Sequence, residues 1–381
     1  MMHVQQIISV IVPLYYGEVY IPAILSQLEL CAKQVKDYKI QLILYNDSPQ
    51  QKIEDSCHSS IIEIKIIHPD MNGGIHKARV GGFQNSDGNF ILFLDQDDRI
   101  CPSYFSSQLS RIGIADAVVC GALSGGRRKY NLDRPLCKTV SRQSMVSEGN
   151  MILSPGQVLL RREAVPKCWI KNILQYNGAD DWLLWLCMHS EERQFAVNQD
   201  ELFFREIHYH NASSDSREMS LSEQEVVRIL EENYLLNTEE RKTLKKLLLK
   251  LQENRVKENE KWKQMFLILN DWFQIYSRGK SVARYLEEQN IKKAAIYGYG
   301  YMGKTLLNYL KNEKVEVAYI IDKNAEFLDL DVKCCTLDDH LQSVDGVIIS
   351  LTKDSLGIEN EIKEKLETNV IWLEDIILRL K

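Results

Sequence analysis

Asn89-Phe90-Ile91-Leu92-Phe93-Leu94-Asp95-Gln96-Asp97-Asp98 decides the reading of this chain, because a wholly apolar run ends abruptly in three carboxylates. Such a run reads as a central strand covered on both faces, and the C-terminal tips of such strands are where open α/β sheets bind ligands. Three carboxylates at one tip repel one another unless a cation sits among them. A hard divalent ion held by one or two carboxylates and by substrate phosphates relieves that repulsion, so the run points to Mg²⁺ or Mn²⁺ and a diphosphate. The competing reading is an acidic turn capping the next helix, a role that suits Asp98.

The residues before this run extend the pattern. Positions 7–16 read as a β-branched strand, 21–36 as a helix with apolar residues at helical spacing, and 40–45 as a second strand running into Asn46-Asp47-Ser48-Pro49. A third strand, 61–67, runs into Asn72-Gly73-Gly74. Strand, helix and strand in alternation give a doubly wound α/β sheet whose polar strand tips share one rim.

Ser9-Val10-Ile11-Val12-Pro13, Asn46-Asp47-Ser48, Asn72-Gly73-Gly74 with Ala78-Arg79, Gly88, and Leu94-Asp95-Gln96-Asp97-Asp98 follow one another in an order that resembles family 2 glycosyltransferases of the GT-A fold. The resemblance covers roughly the first 215 residues. It implies inverting transfer of a sugar from a nucleotide-diphosphate donor, UDP- or dTDP-linked, with Mn²⁺ or Mg²⁺. It places Pro13, Tyr15, Asp47, Asn72, Arg79, Asp95 and Gln96 at the donor, with Asp47 reading the base, Asp95 facing the ribose and Asp97 on the metal. A carboxylate at Asp47 can accept the ring N–H of uracil or thymine, while an Asx turn into Ser48-Pro49 is the structural alternative. Asn46 and Pro49 depart from the family's usual Asp-Asp-Gly-Ser pattern.

Two later stretches complete the implied site. Gly178-Ala179-Asp180-Asp181-Trp182 matches the family's acidic pair at the start of a helix. A carboxylate there can take the proton of an acceptor hydroxyl, and Asp181 is the expected base, with N-capping by either aspartate as the plain alternative. Trp182 and Trp185 read as packing residues. In Arg205-Glu206-Ile207-His208-Tyr209-His210-Asn211-Ala212-Ser213, His208 fits the spacing of a histidine that reaches the metal in the family, and His210 competes with it.

Composition suits a cytoplasmic enzyme. The chain has 381 residues, enough for two or three domains, and its 45% apolar content supplies real cores. No run approaches the ~20 apolar residues of a membrane span, and the chain opens on a core strand without room for a signal peptide. Nine scattered cysteines, among them Cys120 and Cys187 in apolar contexts, read as reduced core residues. A net charge of −6 argues against a nucleic-acid partner. Arg127-Arg128-Lys129 and Arg161-Arg162 read as solvated surface or as contacts for the phosphates of a polyprenyl-linked acceptor.

From 216 to 290 Leu, Glu and Lys dominate, and Trp262, Met265, Phe266, Leu269, Trp272, Phe273 and Tyr276 recur at helical spacing. This region reads as a helical connector in which residues 244–263 pack on the catalytic domain, with a membrane surface or another subunit as alternative partners. Gly279 marks a break. The last stretch, 291–381, reads as a small Rossmann-like domain: a strand at 294–297, Gly298-Tyr299-Gly300-Tyr301-Met302-Gly303 opening a helix, and a strand ending in Asp322. Glycines there let the backbone approach a pyrophosphate, and Asp322 suits a ribose hydroxyl, so Gly298, Gly300, Gly303 and Asp322 form a candidate site for NAD(P) or another nucleotide.

Two functions compete on these residues. One is sugar transfer to a glycan or lipid-linked acceptor in capsule, O-antigen or similar surface polysaccharide synthesis, with peripheral contact at the inner face of the cell membrane and a plausible homo-oligomer. The other is a dinucleotide-dependent sugar-modifying oxidoreductase or a nucleotide sensor working through residues 291–381.

Overall fold

The structure, a computed structural model, describes residues 5–53, 58–124, 127–131, 135–206, 215–328, 330–352 and 357–381. The chain divides into two compact units, residues 1–253 and 254–381.

The first unit is built on a nine-stranded mixed sheet. Its strands are β1 (Gln6–Leu14), β2 (Tyr38–Asn46), β3 (Ile62–Ile67), β4 (Phe90–Phe93), β5 (Arg99–Ile100), β6 (Ala117–Ser124), β7 (Arg127–Arg128), β8 (Val158–Arg161) and β9 (Phe195–Arg205). They run in the order β3-β2-β1-β4-β8-β6-β9-β5, with β7 paired to β6. The first four are parallel, as the alternating pattern predicts, so the ends of β1, β2 and β4 share one rim. Beyond β4 the sheet turns mixed: β8 pairs antiparallel with both β4 and β6, and β5 pairs antiparallel with β9.

Strands buried on both faces are apolar at nearly every position, and the pleat sends alternate side chains to opposite cores. Ile11, Ile91 and Phe93 pack on one face with Trp169, Trp182 and Trp185. Val10, Val12, Leu42 and Leu92 pack on the other with Phe105 and Leu28. Trp182 and Trp185 are thus core residues, as their spacing predicts. The helix Ser216–Glu232 buries Val226, Val227, Ile229 and Leu230 in the first of these cores, although its composition groups it with the connector.

The helix Thr238–Ser277 follows, 40 residues long. Leu244 and Leu247 are buried in the core of the first unit, with Leu251 packed against it. From Gln252 to Gln264 only Arg255 is partly shielded and every other residue is exposed. Only the first two turns of the amphipathic stretch 244–263 therefore pack as expected. Ile268, Trp272 and Ile275 then enter the core of the second unit. Gly279 at φ +76° follows the helix end, and the short helix Val282–Glu288 comes next.

The second unit holds a wholly parallel five-stranded sheet of β10 (Lys293–Tyr297), β11 (Glu316–Ile321), β12 (Cys334–Cys335), β13 (Gly346–Ile349) and β14 (Asn369–Trp372). Its order, β12-β11-β10-β13-β14, reverses direction at β10, which is the doubly wound arrangement the glycine pattern anticipates. The helix Tyr301–Leu310 opens right after the Gly298 turn. A Cβ on Gly303 would lie 2.0 Å from the Gly298 carbonyl oxygen, so only glycine lets this helix start so close to the turn.

Candidate active site

The β1, β2 and β4 tips and the starts of two helices enclose a cleft of about 410 Å³. It is lined by Pro13, Tyr15, Asp47, Asn72, Arg79, Asp95, Gln96, Asp97, Asp180 and Asp181, so the structure brings together every described residue expected at the donor, the metal and the base. His208 and His210 lie outside the described residues.

Arg79 organises the cleft. It sits on the helix Gly74–Gln84, is 3% exposed, and presents Nη1 to both carboxylate oxygens of Asp180 at 2.9 and 2.7 Å. Its Nη2 donates to Asp95 at the β4 tip. Burial by itself would lower the guanidinium, but Asp180, Asp95 and Asp181 outweigh it and hold Arg79 above its ordinary value. One permanent cation thus ties the strand tip to the acidic pair, reaching Asp180 from a position 101 residues away in sequence.

The acidic pair is divided by its surroundings. Gly178 (φ +130°), in a conformation L side chains rarely adopt, leads into the helix Asp180–Ser190. The loop before it is pinned by the helix Ser216–Glu232: Glu225 accepts from Gln175 N–H at 2.8 Å, and Ser222 Oγ accepts from Ala179 N–H at 3.0 Å. Trp169 Nε1–H donates to the Asp180 carbonyl at 2.8 Å. Asp180 spends its carboxylate on Arg79. Asp181 has instead Asn150 Nδ2–H at 2.8 Å and its neighbour's Trp182 N–H at 2.7 Å. Burial and then Asp180 push Asp181 up to about 7, against the opposing effects of Arg79 and these hydrogen bonds.

At the β4 tip the structure corrects one expectation. Asp98 does not cap a helix: the strand β5 follows it directly, and the next helix begins at Tyr104 with Ser103 at its N-cap. Asp98 is buried instead, 4% exposed, and lines the cleft. Burial, then Asp95 and Asp97, push its carboxyl up to about 8, with Ser154 and Arg205 opposing. Asp95 also accepts from Ser154 Oγ at 3.4 Å.

Asp47 accepts from Gly73 N–H at 2.7 Å and Gly74 N–H at 2.9 Å, which fixes the start of the Gly74–Gln84 helix beside the β2 tip. Asn72 reinforces this by donating to the Asp47 carbonyl at 2.8 Å. Burial raises Asp47 and those two N–H groups lower it, leaving a net rise. The Asx turn belongs to Asn46, whose Oδ1 accepts from Ser48 N–H at 3.1 Å, so the departure at position 46 supplies the turn itself. Gln96 holds the backbone of Tyr15 from both sides, at 2.9 Å to its N–H and 3.2 Å to its carbonyl, leaving the Tyr15 ring 58% exposed.

The basic clusters have structural uses. Arg161 donates to the Ala115 and Gly113 carbonyls, Arg162 to the Phe83 and Ser86 carbonyls, and Arg128 pairs with Glu201. Arg161 and Arg162 are half-buried against these carbonyls. Asn150, Ser154, Asn177 and Arg205 belong to the site without any signal in the sequence, since each reaches it through contacts distant along the chain.

In the second unit Gly298 has φ +92°, and a Cβ on Gly300 would meet nothing within 4 Å, so the glycine turn is open above. Asp322 lies beside it but is engaged by the chain: Tyr299 N–H donates to it at 2.7 Å and Asn324 N–H at 2.9 Å.

Residues 9–169 match the family model described as glycosyl transferase family 2. The minor teichoic acid biosynthesis protein GgaB of Bacillus subtilis (strain 168) is 33% identical over 106 residues, 27% of this chain and 11% of that protein. The putative glycosyltransferase EpsH of the same organism is 32% identical over 117 residues, 30% of this chain and 33% of that protein. The undecaprenyl-phosphate 4-deoxy-4-formamido-L-arabinose transferase of Proteus mirabilis (strain HI4320) is 25% identical over 138 residues, 35% and 41%. The chain therefore spans less than half the length of each of these relatives. Among solved structures, residues 1–349 of S. aureus TarS superpose with a TM-score of 0.46 at 18% identity, covering 63% of this chain and 70% of that one. Residues 9–169 and the mixed sheet that carries them are thus similar to glycosyl transferase family 2.

Proposed function

We propose that the first unit transfers a sugar from a nucleoside-diphosphate sugar, UDP- or dTDP-linked, to a hydroxyl of a glycan or lipid-linked acceptor of the cell surface, with inversion. One observation carries the reading: Arg79 fastens the β4-tip carboxylate Asp95 and the helix-start carboxylate Asp180 beside each other in one cleft. That brings the residues expected at the donor next to the expected base. Relatives named for teichoic acid synthesis and for an undecaprenyl-phosphate transferase support the acceptor class.

The donor set fits a hard divalent cation. Asp95, Asp97 and Asp98 offer only oxygens and line one cleft, and burial, followed by Asp95 and Asp97, raises Asp98. Among the described residues no three His, Cys, Asp or Glu side chains converge as a metal cage, which suits an ion whose shell is completed by diphosphate oxygens and water. Asp97 would hold Mn²⁺ or Mg²⁺, and the ion when bound supplies positive charge for the leaving diphosphate.

The chain's own residues account for the rest of the displacement. Asp47 and Tyr15 border the place of the base, with Asp47 oriented by two backbone N–H groups. Asp181 takes the proton of the acceptor hydroxyl as that oxygen bonds to the anomeric carbon, and the bond from that carbon to the diphosphate breaks on the opposite side. Asp180, neutralised by Arg79, fixes the helix start and leaves Asp181 as the carboxylate available for the proton.

Thermal unfolding with UDP, dTDP, GDP and NAD, each with and without Mn²⁺, tests the reading, because a ligand of the native state raises the melting temperature. A Mn²⁺-dependent rise with UDP or dTDP that Asp97→Ala abolishes is the expected result. A rise with NAD alone, indifferent to Mn²⁺ and to Asp97, overturns it in favour of the second reading, nucleotide binding or oxidoreduction by residues 291–381. The open turn at Gly300 favours that second reading, and the engagement of Asp322 by backbone N–H groups weighs against it.

A further inference from the structure

The helix Gly74–Gln84 reaches the acidic pair by a second route besides Arg79. His76 lies three residues before Arg79, hence on the same side of that helix, and is 2% exposed. Its Nδ1 accepts from Leu174 N–H at 3.0 Å. Its ring lies against Trp169 with ring centres 4.7 Å apart, and Trp169 in turn meets Phe93, the last residue of β4, at 5.4 Å. Trp169 is fully buried and gives its Nε1–H to the Asp180 carbonyl, so this stack ends on the main chain of the pair. Two supports from one helix therefore reach Asp180: Arg79 at its carboxylate, and His76 at its carbonyl through Trp169.

The loop before the pair gives up three successive N–H groups to side chains. Leu174 donates to His76, while Gln175 and Tyr176 donate to Glu225 at 2.8 and 3.4 Å. Leu174 is buried, so its N–H depends on an internal acceptor. A main-chain N–H can only donate, which requires Nδ1 of His76 to be bare and the single proton of a neutral ring to sit on Nε2. A proton on Nδ1 would set two donors against each other. The surroundings keep the ring neutral: burial lowers His76, Asp180 opposes, Arg79 adds to the effect of burial, and the Trp169 main chain and Glu225 oppose, leaving a net fall. We propose that neutral His76 is a positioning residue for the proposed base, fixing through Leu174 and Trp169 the start of the Asp180–Ser190 helix and with it the Asp181 carboxylate. The proposal rests on the transferase reading only for what Asp181 does there. A carboxylate that must meet a hydroxyl within hydrogen-bond reach is sensitive to displacements of about 1 Å.

Two substitutions in the full chain separate positioning from mere packing. His76→Phe keeps a ring against Trp169 and removes the acceptor, whereas His76→Asn keeps an acceptor near the place of Nδ1. Carbon NMR of aspartate-labelled protein, with Asp181→Asn identifying the signal, reads the Asp181 midpoint. That midpoint, about 7 in the parent, should fall in His76→Phe, because burial is the largest cause of its rise and a loosened helix start admits water. Turnover should fall by roughly 10- to 100-fold with donor KM unchanged, and His76→Asn should lie closer to the parent in both readouts. A parent-like midpoint and kcat in His76→Phe, or a His76→Asn variant no closer to the parent than His76→Phe, overturns the proposal. Should a variant fail to fold, nitrogen NMR of the parent decides: a bare Nδ1 at pH 7 is expected, and a proton there overturns it. These signals need no nucleotide. Failure of the transferase reading is seen separately, as absence of Mn²⁺-dependent stabilisation of the parent by UDP.

Discussion

The two units each end a parallel strand in acidic residues beside a glycine-led helix, yet they treat those carboxylates in opposite ways. At the β4 tip Asp95, Asp97 and Asp98 line a cleft, and Asp98 is pushed up to about 8 first by burial and then by its two neighbours. At the β11 tip Asp322 is held by two backbone N–H groups of its own unit. Crowding and burial together hold Asp98 above its ordinary value even though Arg79 engages its neighbour Asp95. A single carboxylate with both oxygens engaged staples a turn. The same sequence cue, acid at a strand tip, therefore opens onto a cleft in one unit and staples a turn in the other.

Substitution of the proposed base should have the largest effect. Asp181→Asn is expected to lower kcat by roughly 10²–10⁴-fold, the usual worth of a positioned proton acceptor, while UDP affinity by titration calorimetry stays near that of the parent. Near-normal turnover would reduce Asp181 to a helix-start residue, no more chemical than Asp322.

Loss of the connecting cation should come next. Arg79→Ala leaves Asp95 and Asp180 uncompensated in a buried setting and is expected to cost about 3–5 kcal/mol in urea unfolding. A cost below about 1 kcal/mol would mean that the two acidic groups do not depend on a shared cation.

The pH dependence follows from the rise of Asp181 to about 7. The carboxylate form is the competent one, so kcat/KM should climb as pH rises through about 7. Asn150 stabilises the charged form, so Asn150→Ala should move that midpoint upward. The sign for stability is the reverse. A carboxyl raised on folding favours the native state below its unfolded value, and that contribution is lost as pH climbs through about 7, so parent and Asp181→Asn should differ in their pH dependence of unfolding over this window. Identical pH profiles for parent and Asn150→Ala would break the assignment.

The smallest effect is predicted in the second unit. Asp322→Asn retains one carbonyl acceptor and should cost about 1 kcal/mol, with faster amide exchange at Tyr299 or Asn324 and unaltered sugar transfer. Loss of NAD-induced stabilisation in this variant, with amide exchange unaltered, would make Asp322 a ligand group after all.

The sequence by itself determined the elements and the rim. Apolar runs that end in Leu14, Asn46 and Leu94 specify strands whose tips are polar, and alternation with helices specifies their parallel pairing, because periodicity and strand-helix order are local properties of the chain. The Asp180-Asp181 pair at a helix start was legible through resemblance to the family's acidic pair, and the core placement of Trp182 and Trp185 through their helical spacing. The antiparallel insertion of β8 was not, because pairing of Phe90 with Arg161 depends on contacts 71 residues apart and on no pattern within either strand. Only the tertiary structure decided what each carboxylate does. It withdrew Asp98 from helix capping by running the chain straight into β5, gave Asp180 to Arg79, and left Asp181 with Asn150. Those assignments rest on burial and on which donor lies within about 3 Å, quantities set by packing of distant segments, whereas the sequence reports only that an acid is present.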